Sequence, residues 1–382
     1  MANGATATQE HILTAAELKL ERLTHFDGAR DPSTPTDRLR ELRRRALGFR
    51  EELLAGPQVT YYRSLDLVRV PYPTRYAFWR ASRVPTPLLH IVNRLFVVQF
   101  RAGDALKTLL ISPSDIAANK ATPFFAELAS KARLLGRFGE RLLAPIYGTV
   151  EERLAEVGLQ PADVDYISYD HLHTQDIRSW FGANGASGYF PNAKLLVTRQ
   201  EWASVAGLLP PHAQWYVPGG CESLDPARVV LLDHDVRLGE GIALVRTPGH
   251  TEGNHSFVVH TPEGLLVTSE NGVSADNYAP LRSRIPGVAE HARRTGAEVV
   301  LNGNTLEGAN EQYLSMVQEK EIAGPSQRDP NFYNVLPSSE LRAYWAFPGV
   351  KPTFSFPELE YGRLQRPPRA DAARASGGGA SA

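Results

Sequence analysis

The chain has one cysteine, Cys221, in 382 residues. No disulfide can form within it, which excludes the disulfide-stapled scaffolds of oxidising compartments. An excess of charge of one sign is also missing: 41 Lys and Arg face 42 Asp and Glu, a formal net charge of −1. That is not the balance of a nucleic-acid binder. Long apolar runs are absent, since LFVVQF at 95–100 is far shorter than the roughly 20 residues a spanning helix needs. The opening MANGATATQEHILTAAELKLERL has neither a basic start nor an apolar centre, so no secretory leader is expected and the default compartment is the cytoplasm. Glycine (31) and proline (28) are scattered rather than periodic, which excludes a collagen-like chain.

What is present reads as a mixture of helices and short strands. Residues 1 to about 60 are expected to be helical, most clearly from Asp37 to Leu54, where Leu39, Leu42, Ala46, Phe49 and Leu53 recur at three- and four-residue spacing. The opposite face, with Arg38, Arg40, Arg43, Arg44, Arg45 and Arg50, reads as a solvated helix face rather than a phosphate patch. From Leu88 the texture changes to β-branched and aromatic runs. LLHIVNRLFVVQF, a turn at Arg101–Asp104 and ALKTLLISPSD predict a hairpin. A helix at 149–157 ends at Gly158. Strand-like pieces then follow at 164–169, 193–198, 243–247, 255–261, 265–269 and 297–303, a mixed pattern that suggests layered α/β or α+β. The expected organisation is a helical N-terminal extension over 1–85, a central domain over 86–320, a packed C-terminal segment over 321–364 and a disordered Pro/Gly/Ser/Ala tail over 365–382.

The richest segment for chemistry is VDYISYDHLHTQDIRSWFG. It delivers His171 and His173 two residues apart at a strand end, where alternate side chains point the same way and can share a metal ion. Taken alone, such a pair is also compatible with two surface histidines on a loop. A second strand, ALVRT, runs through Pro248-Gly249 to His250, which can bring a third imidazole to the same sheet end. A third, LLVTS, ends at Glu270, a carboxylate able to ligate the ion or orient its water. His255 opens the following strand and reads as structural. So do His90, His212, His234, His260 and His291, and Cys221 has no activating partner in sequence.

In order along the chain, NRLFVVQF leading to LLISPSD, DHLHTQD, FPNAKLLVTRQEW, TPGHTEGNHS, LLVTSEN and VVLNGN resemble the metallo-β-lactamase-fold superfamily over about 90–310. The resemblance implies an αββα sandwich of two mixed β-sheets, an α+β fold, with a metal site at one edge between the sheets. It maps His171, His173 and His250 onto the ligands of the first metal. The usual HxHxDH signature is altered, with Gln175 and Asp176 in place of its Asp and last His. The later bridging Asp falls on Glu270 and the final His on Asn304. A second metal position made of Gln175, Asp176, Glu270 and Asn304 lacks imidazole altogether.

The expectation is therefore one divalent transition metal per chain, zinc first and iron or manganese next, with Glu270 as fourth or outer ligand. On this resemblance the chain is a metal-dependent hydrolase whose ion-activated water attacks an ester, lactone or thioester of a small-molecule substrate. Asp176 and Glu270 are its candidate base and water-orienting groups, and Gln175 or Asn304 its oxyanion donor. No nucleic-acid or membrane partner is expected, and a homo-oligomer is left open. Two alternatives stay open at this stage: an iron oxidoreductase on the same fold, and a non-catalytic scaffold with a degenerate site. Aromatic clusters at Tyr61, Tyr62, Tyr72, Tyr76, Phe78 and Trp79, and at Tyr344, Trp345 and Phe347, either line a cavity or fill the core.

Overall fold

The computed structural model describes residues 12–132, 142–303, 308–345 and 350–366. In chain order the strands are β1 (Leu13–Thr14), β2 (Glu21–Arg22), β3 (Tyr61–Pro73), β4 (Leu88–Ala102), β5 (Ala105–Ile111), β6 (Tyr166–Ser168), β7 (Lys194–Thr198), β8 (Val229–Leu232), β9 (Val236–Gly239), β10 (Ile242–Arg246), β11 (His255–Thr261), β12 (Gly264–Thr268), β13 (Ser339–Leu341) and β14 (Glu360–Gly362). Among the described residues they make two sheets, β1-β8-β7-β6-β5-β4-β3-β14 with β13 also on β4, and β12-β11-β10-β9-β2. The first sheet is mixed. The second, also expected to be mixed, is antiparallel at every described pairing. Short turns such as Thr261–Gly264 join its neighbours, and a turn that short permits only antiparallel pairing.

Side-chain alternation sorts these strands into layers. Phe96, Val98, Leu109 and Leu196 of the first sheet meet Leu244, Phe257, Val259 and Leu266 of the second in one core. The outer faces are covered as well. Leu65, Val97, Leu110 and Leu195 pack with Val150 and Leu154 of the Val150–Val157 helix. Val245, Val258 and Val267 pack with Phe49 and Leu53 of the Pro35–Ala55 helix and Met316 of the Ala309–Ala323 helix. Helices outside two facing sheets give the α+β, αββα sandwich that the sequence resemblance implies. No described helix is long and apolar enough to cross a membrane.

Local chemistry explains the elements that the sequence made legible. Thr149 and Glu152 form a reciprocal capping box at the start of the Val150–Val157 helix, and Gly158 ends it in the left-handed region at φ 79°. The Pro35–Ala55 helix buries Leu42, Ala46, Phe49 and Leu53 on one stripe. Its arginine face is only partly solvated. Arg40 and Arg44 pair locally with Asp37 and Glu41, whereas Arg38 reaches Glu311 and Arg43 reaches Glu298 and Glu321.

Four stretches differ from the sequence expectation. Of the described residues before Tyr61, only Pro35–Ala55 is helical, and β1 and β2 join β8 and β9 as edge strands too short to carry a period. Residues 61–73, expected within a helical extension, are the long strand β3, paired with β4 from Tyr61↔Gln99 to Pro73↔Leu88. Burial on both faces removes the alternation that would have marked it. Residues 297–303 form no strand. The Val300 N–H goes to the carbonyl of Asn277, in the short Ala275–Tyr278 helix, and the Asn302 N–H to the Asn271 carbonyl, bonds that form no ladder. At the expected start of a disordered tail, the Gln365 N–H donates to Gln99 Oε1 (2.8 Å) and its carbonyl accepts from Gln99 Nε2 (2.9 Å). Residues 367–382 lie outside the described residues.

One buried ion pair holds the C-terminal segment to the sheet. Arg94 on β4 is fully buried and donates to Asp66 (2.9 Å), Glu340 (2.8 Å) and the Phe356 carbonyl (2.8 Å). Glu340, equally buried, also accepts the Phe356 N–H (2.9 Å). Removing one member of such a pair strands the other charge in a medium that solvates it poorly. Arg94→Met is expected to lower the unfolding free energy by about 3 to 5 kcal/mol, with partial recovery in the Arg94→Met/Glu340→Gln double variant. Denaturant titration checks this, and a loss below about 1 kcal/mol for the single variant would show that the pair is not what holds the segment. Limited proteolysis gives a second check. Because β3 precedes Pro85 and pairs along β4, cleavage near Pro85 should not release a soluble core, and early accumulation of a stable fragment starting there would contradict this pairing.

Candidate metal centre

Three strand ends deliver the site. β6 ends at Ser168 and leads through Tyr169 and Asp170 to His171, Leu172 and His173. β10 ends at Arg246 and the Pro248-Gly249 turn presents His250. β12 ends at Thr268, just before Glu270. Gly249 lies at φ 143°, and a Cβ there would sit 2.2 Å from the Gln312 backbone, so the turn admits no side chain.

One donor atom from each of His171, His173 and His250 lies within 4.8 Å of the other two. His173 Nδ1 and His250 Nε2 face each other at 3.3 Å. Asp170, His171 and Glu270 form a second group within the same 4.8 Å limit. Asp170 Oδ1 stands 3.4 Å from His171 Nδ1, and the Ser338 hydroxyl reaches both Asp170 Oδ2 (3.0 Å) and Glu270 Oε2 (3.3 Å).

Electrostatics separates the three rings. Burial, with the charge of His171, pushes His173 and His250 well below the ordinary histidine range. Burial also opposes charge on His171, but Asp170, helped by Glu270 and Glu201, outweighs it and lifts this ring to about 9. Burial likewise resists ionisation of Asp170, yet His171 and the Ser338 hydroxyl outweigh it and hold the carboxyl low. Burial raises Glu270 to about 7. Two rings favoured neutral thus bring one nitrogen each to the same point, where either can offer a lone pair. That donor set fits a divalent transition ion, with Glu270 in reach through its group with His171.

The residues that hold these loops were not singled out from sequence. Glu201 is buried: Oε1 accepts the Leu172 N–H (2.8 Å), between the two histidines, and Oε2 accepts the Thr251 hydroxyl (2.6 Å), beside His250. Asn271 accepts the His250 N–H (3.0 Å) and donates to buried Glu319 (2.6 Å). Asn302 donates to the Glu270 carbonyl (3.2 Å), lies 3.5 Å from His250 Nδ1, and accepts the Tyr72 hydroxyl (2.6 Å). A signal existed for four of these groups: Asp170 directly precedes His171 in DHLH, Glu201 lies in FPNAKLLVTRQEW, Asn271 ends LLVTSEN and Asn302 lies in VVLNGN.

The remaining candidates are placed differently. The Asp176 carboxylate is taken up by Arg178, from Nε (2.9 Å), the guanidinium terminus (2.5 Å) and the backbone N–H (3.1 Å), and it enters neither donor group. The base role expected for Asp176 therefore has no geometric support, because the guanidinium turns the carboxylate to itself. The Gln175 side-chain amide is likewise engaged, donating to Ser114 Oγ (3.2 Å) and accepting from Asn119 (3.2 Å). Asn304 lies outside the described residues. His255 sits between the sheets 3.3 Å from Ser168 Oγ, His90 meets the Leu143 carbonyl, and His260 meets the Pro57 carbonyl. Burial pushes the Cys221 thiol up to about 12, which removes it as a nucleophile.

A cavity of about 300 Å³ adjoins the histidines. Its walls are mainly apolar, with Val68, Ile91, Phe124, Leu128, Ile146 and Trp215 facing His171, His173 and Glu270. Of the aromatic clusters noted in the sequence, Tyr72 lines it, Tyr62 and Phe78 are core, and Phe347 lies outside the described residues.

No protein-family model matches the chain. It is 31% identical over 170 residues to the N-acyl homoserine lactonase AttM of Azorhizobium caulinodans, covering 38% of this chain and 59% of that protein. It is 28% identical over 150 residues to the N-acyl homoserine lactonase AiiA of Bacillus thuringiensis subsp. kurstaki, covering 37% and 54%. The chain thus spans about half the length of the curated relatives it matches. Among solved structures it is similar to AidC, a dizinc quorum-quenching lactonase in complex with a product, at 12% identity and TM-score 0.47 over 78% of this chain and 97% of that one. It is also similar to hydrolase AbOPH of the beta lactamase superfamily, at 15% identity and TM-score 0.43 over 81% and 99%. With helices outside two facing sheets, a histidine trio at strand ends and N-acyl homoserine lactonases among its sequence relatives, the chain bears out the resemblance to the metallo-β-lactamase-fold superfamily.

Proposed function

We propose that the chain is a metal-dependent hydrolase that opens a lactone or cleaves a related ester, with one divalent ion held by His171, His173 and His250. The observation that carries this reading is the convergence of three buried imidazoles beside a mainly apolar cavity. The names of the curated relatives, N-acyl homoserine lactonases, favour a lactone. Zinc is the first choice of ion and iron or manganese the next, since imidazole suits all three. The single thiol, Cys221, suits a reducing compartment such as the cytoplasm. The segments before residue 86 and after 320 belong to the same working unit, because Val68, Tyr72 and Ser338 line the cavity.

A divalent ion bound there supplies Lewis acidity and makes water nucleophilic near neutral pH. The chain's own residues do the rest. Glu270, beside His171, takes the proton of the attacking water, and the Ser338 hydroxyl holds its carboxylate. Asp170 orients His171 through Nδ1, and Glu201 keeps both histidine loops in register. The buried Trp215 Nε1–H lines the cavity, has no partner, and donates to the substrate carbonyl oxygen. Asp176 is left to fix Arg178 and the turn after His173.

Metal content tests the donor set. Protein purified without added metal should hold about one transition ion per chain by elemental mass spectrometry. His171→Ala, His173→Ala and His250→Ala should each lose it, while His255→Asn should retain it in the folded fraction. Two ions held tightly per chain, or equal losses at His250 and His255, would show the assignment to be wrong.

Turnover tests the chemistry. Zn(II), Mn(II) and Fe(II) forms are assayed on lactones, thioesters, aryl esters and phosphodiesters, with lactone or ester turnover expected. Glu270→Gln should lower that rate by a general-base factor of about 10² to 10⁴, whereas Asp176→Asn should change it far less. Inert metal forms throughout, with Fe(II) protein consuming O₂ in the presence of a thiol or persulfide, would replace hydrolysis by oxidation.

A further inference from the structure

The cavity wall carries polar atoms that its own neighbours leave without partners. Ser114, Gln175, Asn119, Tyr72 and Ser338 all line it and all make hydrogen bonds within the chain. Ser112 does not. It is 3% exposed, its Oγ has no partner, and it lines the cavity just beyond the end of β5. Its backbone is left-handed at φ 54°, a conformation a serine adopts at a cost, and its N–H is anchored on the Ser168 carbonyl at 2.9 Å. On the neighbouring strand β4, Asn93 also lines the cavity. Its Oδ1 has no partner, while its Nδ2 lies 3.5 Å from Ser339 Oγ. Ile111, directly before Ser112, pairs with Phe96, so the two side chains arise close together on adjacent strands.

A buried hydroxyl and a buried carbonyl oxygen without partners are costly to the folded chain. On a cavity wall that cost is recovered when a ligand supplies the missing partners. We infer that Ser112 and Asn93 form a subsite for a neutral hydrogen-bonding group carried by the substrate away from its scissile bond. The Ser112 hydroxyl donates to a carbonyl oxygen of that group, and Asn93 Oδ1 accepts an N–H or O–H from it. Neutrality follows from the lining. Among the described residues Lys120 is the one Lys or Arg that lines the cavity, and it is exposed rather than set in the wall. An anion at this subsite would therefore be desolvated without a cationic side chain of its own, the charge of His171 and of a bound ion belonging to the reacting end. Of the other unpartnered atoms on the wall, His171 Nδ1 and His173 Nε2 belong to the histidine trio, and Trp215 Nε1 lies with the reacting end, its ring 6.3 Å from that of His173. The inference rests on the hydrolase reading only in taking this cavity to be the one the substrate occupies.

Calorimetry of the purified, metal-loaded protein with three non-ester probes tests it. N-butylbenzamide offers both carbonyl and N–H, butyl phenyl ketone the carbonyl alone, and pentylbenzene neither. The wild-type chain should bind them in that order, with a step of about three- to tenfold for each hydrogen bond. Ser112→Ala should abolish the preference of ketone over hydrocarbon, and Asn93→Leu the preference of amide over ketone, while pentylbenzene binds all three proteins alike. Ser112→Ala should melt no lower than wild type, since it deletes an unpaired hydroxyl. Equal binding of the three probes by wild type overturns the subsite without reference to any variant. So does an amide that fails to bind, or a preference that survives both substitutions. No probe carries an ester, so a chain inert on the ester panel leaves this result standing on its own.

Discussion

The structure is organised around bringing three imidazoles within a few ångströms of one another inside a water-poor edge of the sandwich. Buried rings at that spacing cannot all carry charge, and two of them are pushed toward the neutral, ligating form by burial and by the third. Holding them there requires loops that do not drift. Glu201 bonds the loop between His171 and His173 and also the residue after His250, so one carboxylate keeps two strand ends in register. Glu319 does the same at one remove, through Asn271 and the His250 backbone.

Acid is distributed unevenly around the trio. Asp170 and Glu270 lie beside His171, joined by the Ser338 hydroxyl. At the altered signature positions the side chains are already satisfied, Gln175 by Ser114 and Asn119 and Asp176 by Arg178. A guanidinium that holds a carboxylate by two nitrogens leaves little of it for a metal. The side chains at the two altered signature positions thus find their partners within the chain.

The cavity draws on parts of the chain that lie outside the stretch resembling the superfamily. β3 contributes Val68, Val70 and Tyr72, and the residues leading into β13 contribute Ser338. Both are secured on β4, β3 by its long antiparallel pairing and β13 by the register beside buried Arg94 and Glu340. Stability of that ion pair and shape of the binding space are therefore linked, since loosening β13 would move the wall that carries Ser338 and Ser339.

The sequence by itself determined the elements whose cause is local. A Thr and a Glu three residues apart, as at Thr149 and Glu152, form a capping box from local sequence, a glycine turn closes the β4–β5 hairpin, and DHLH and TPGH place imidazoles at strand ends. The resemblance also placed Gln175 and Asp176 where the usual HxHxDH signature has Asp and His. Tertiary structure alone decided the rest, because the deciding partners are far apart in the chain. β3 loses its alternation because both faces are covered, and 297–303 is diverted from a strand by bonds to the backbone carbonyls of Asn271 and Asn277. Asp170 faces Glu270 across 100 residues of sequence, and Glu201 reaches Leu172 across 29 and Thr251 across 50, contacts that exist only once the sheets bring those loops together.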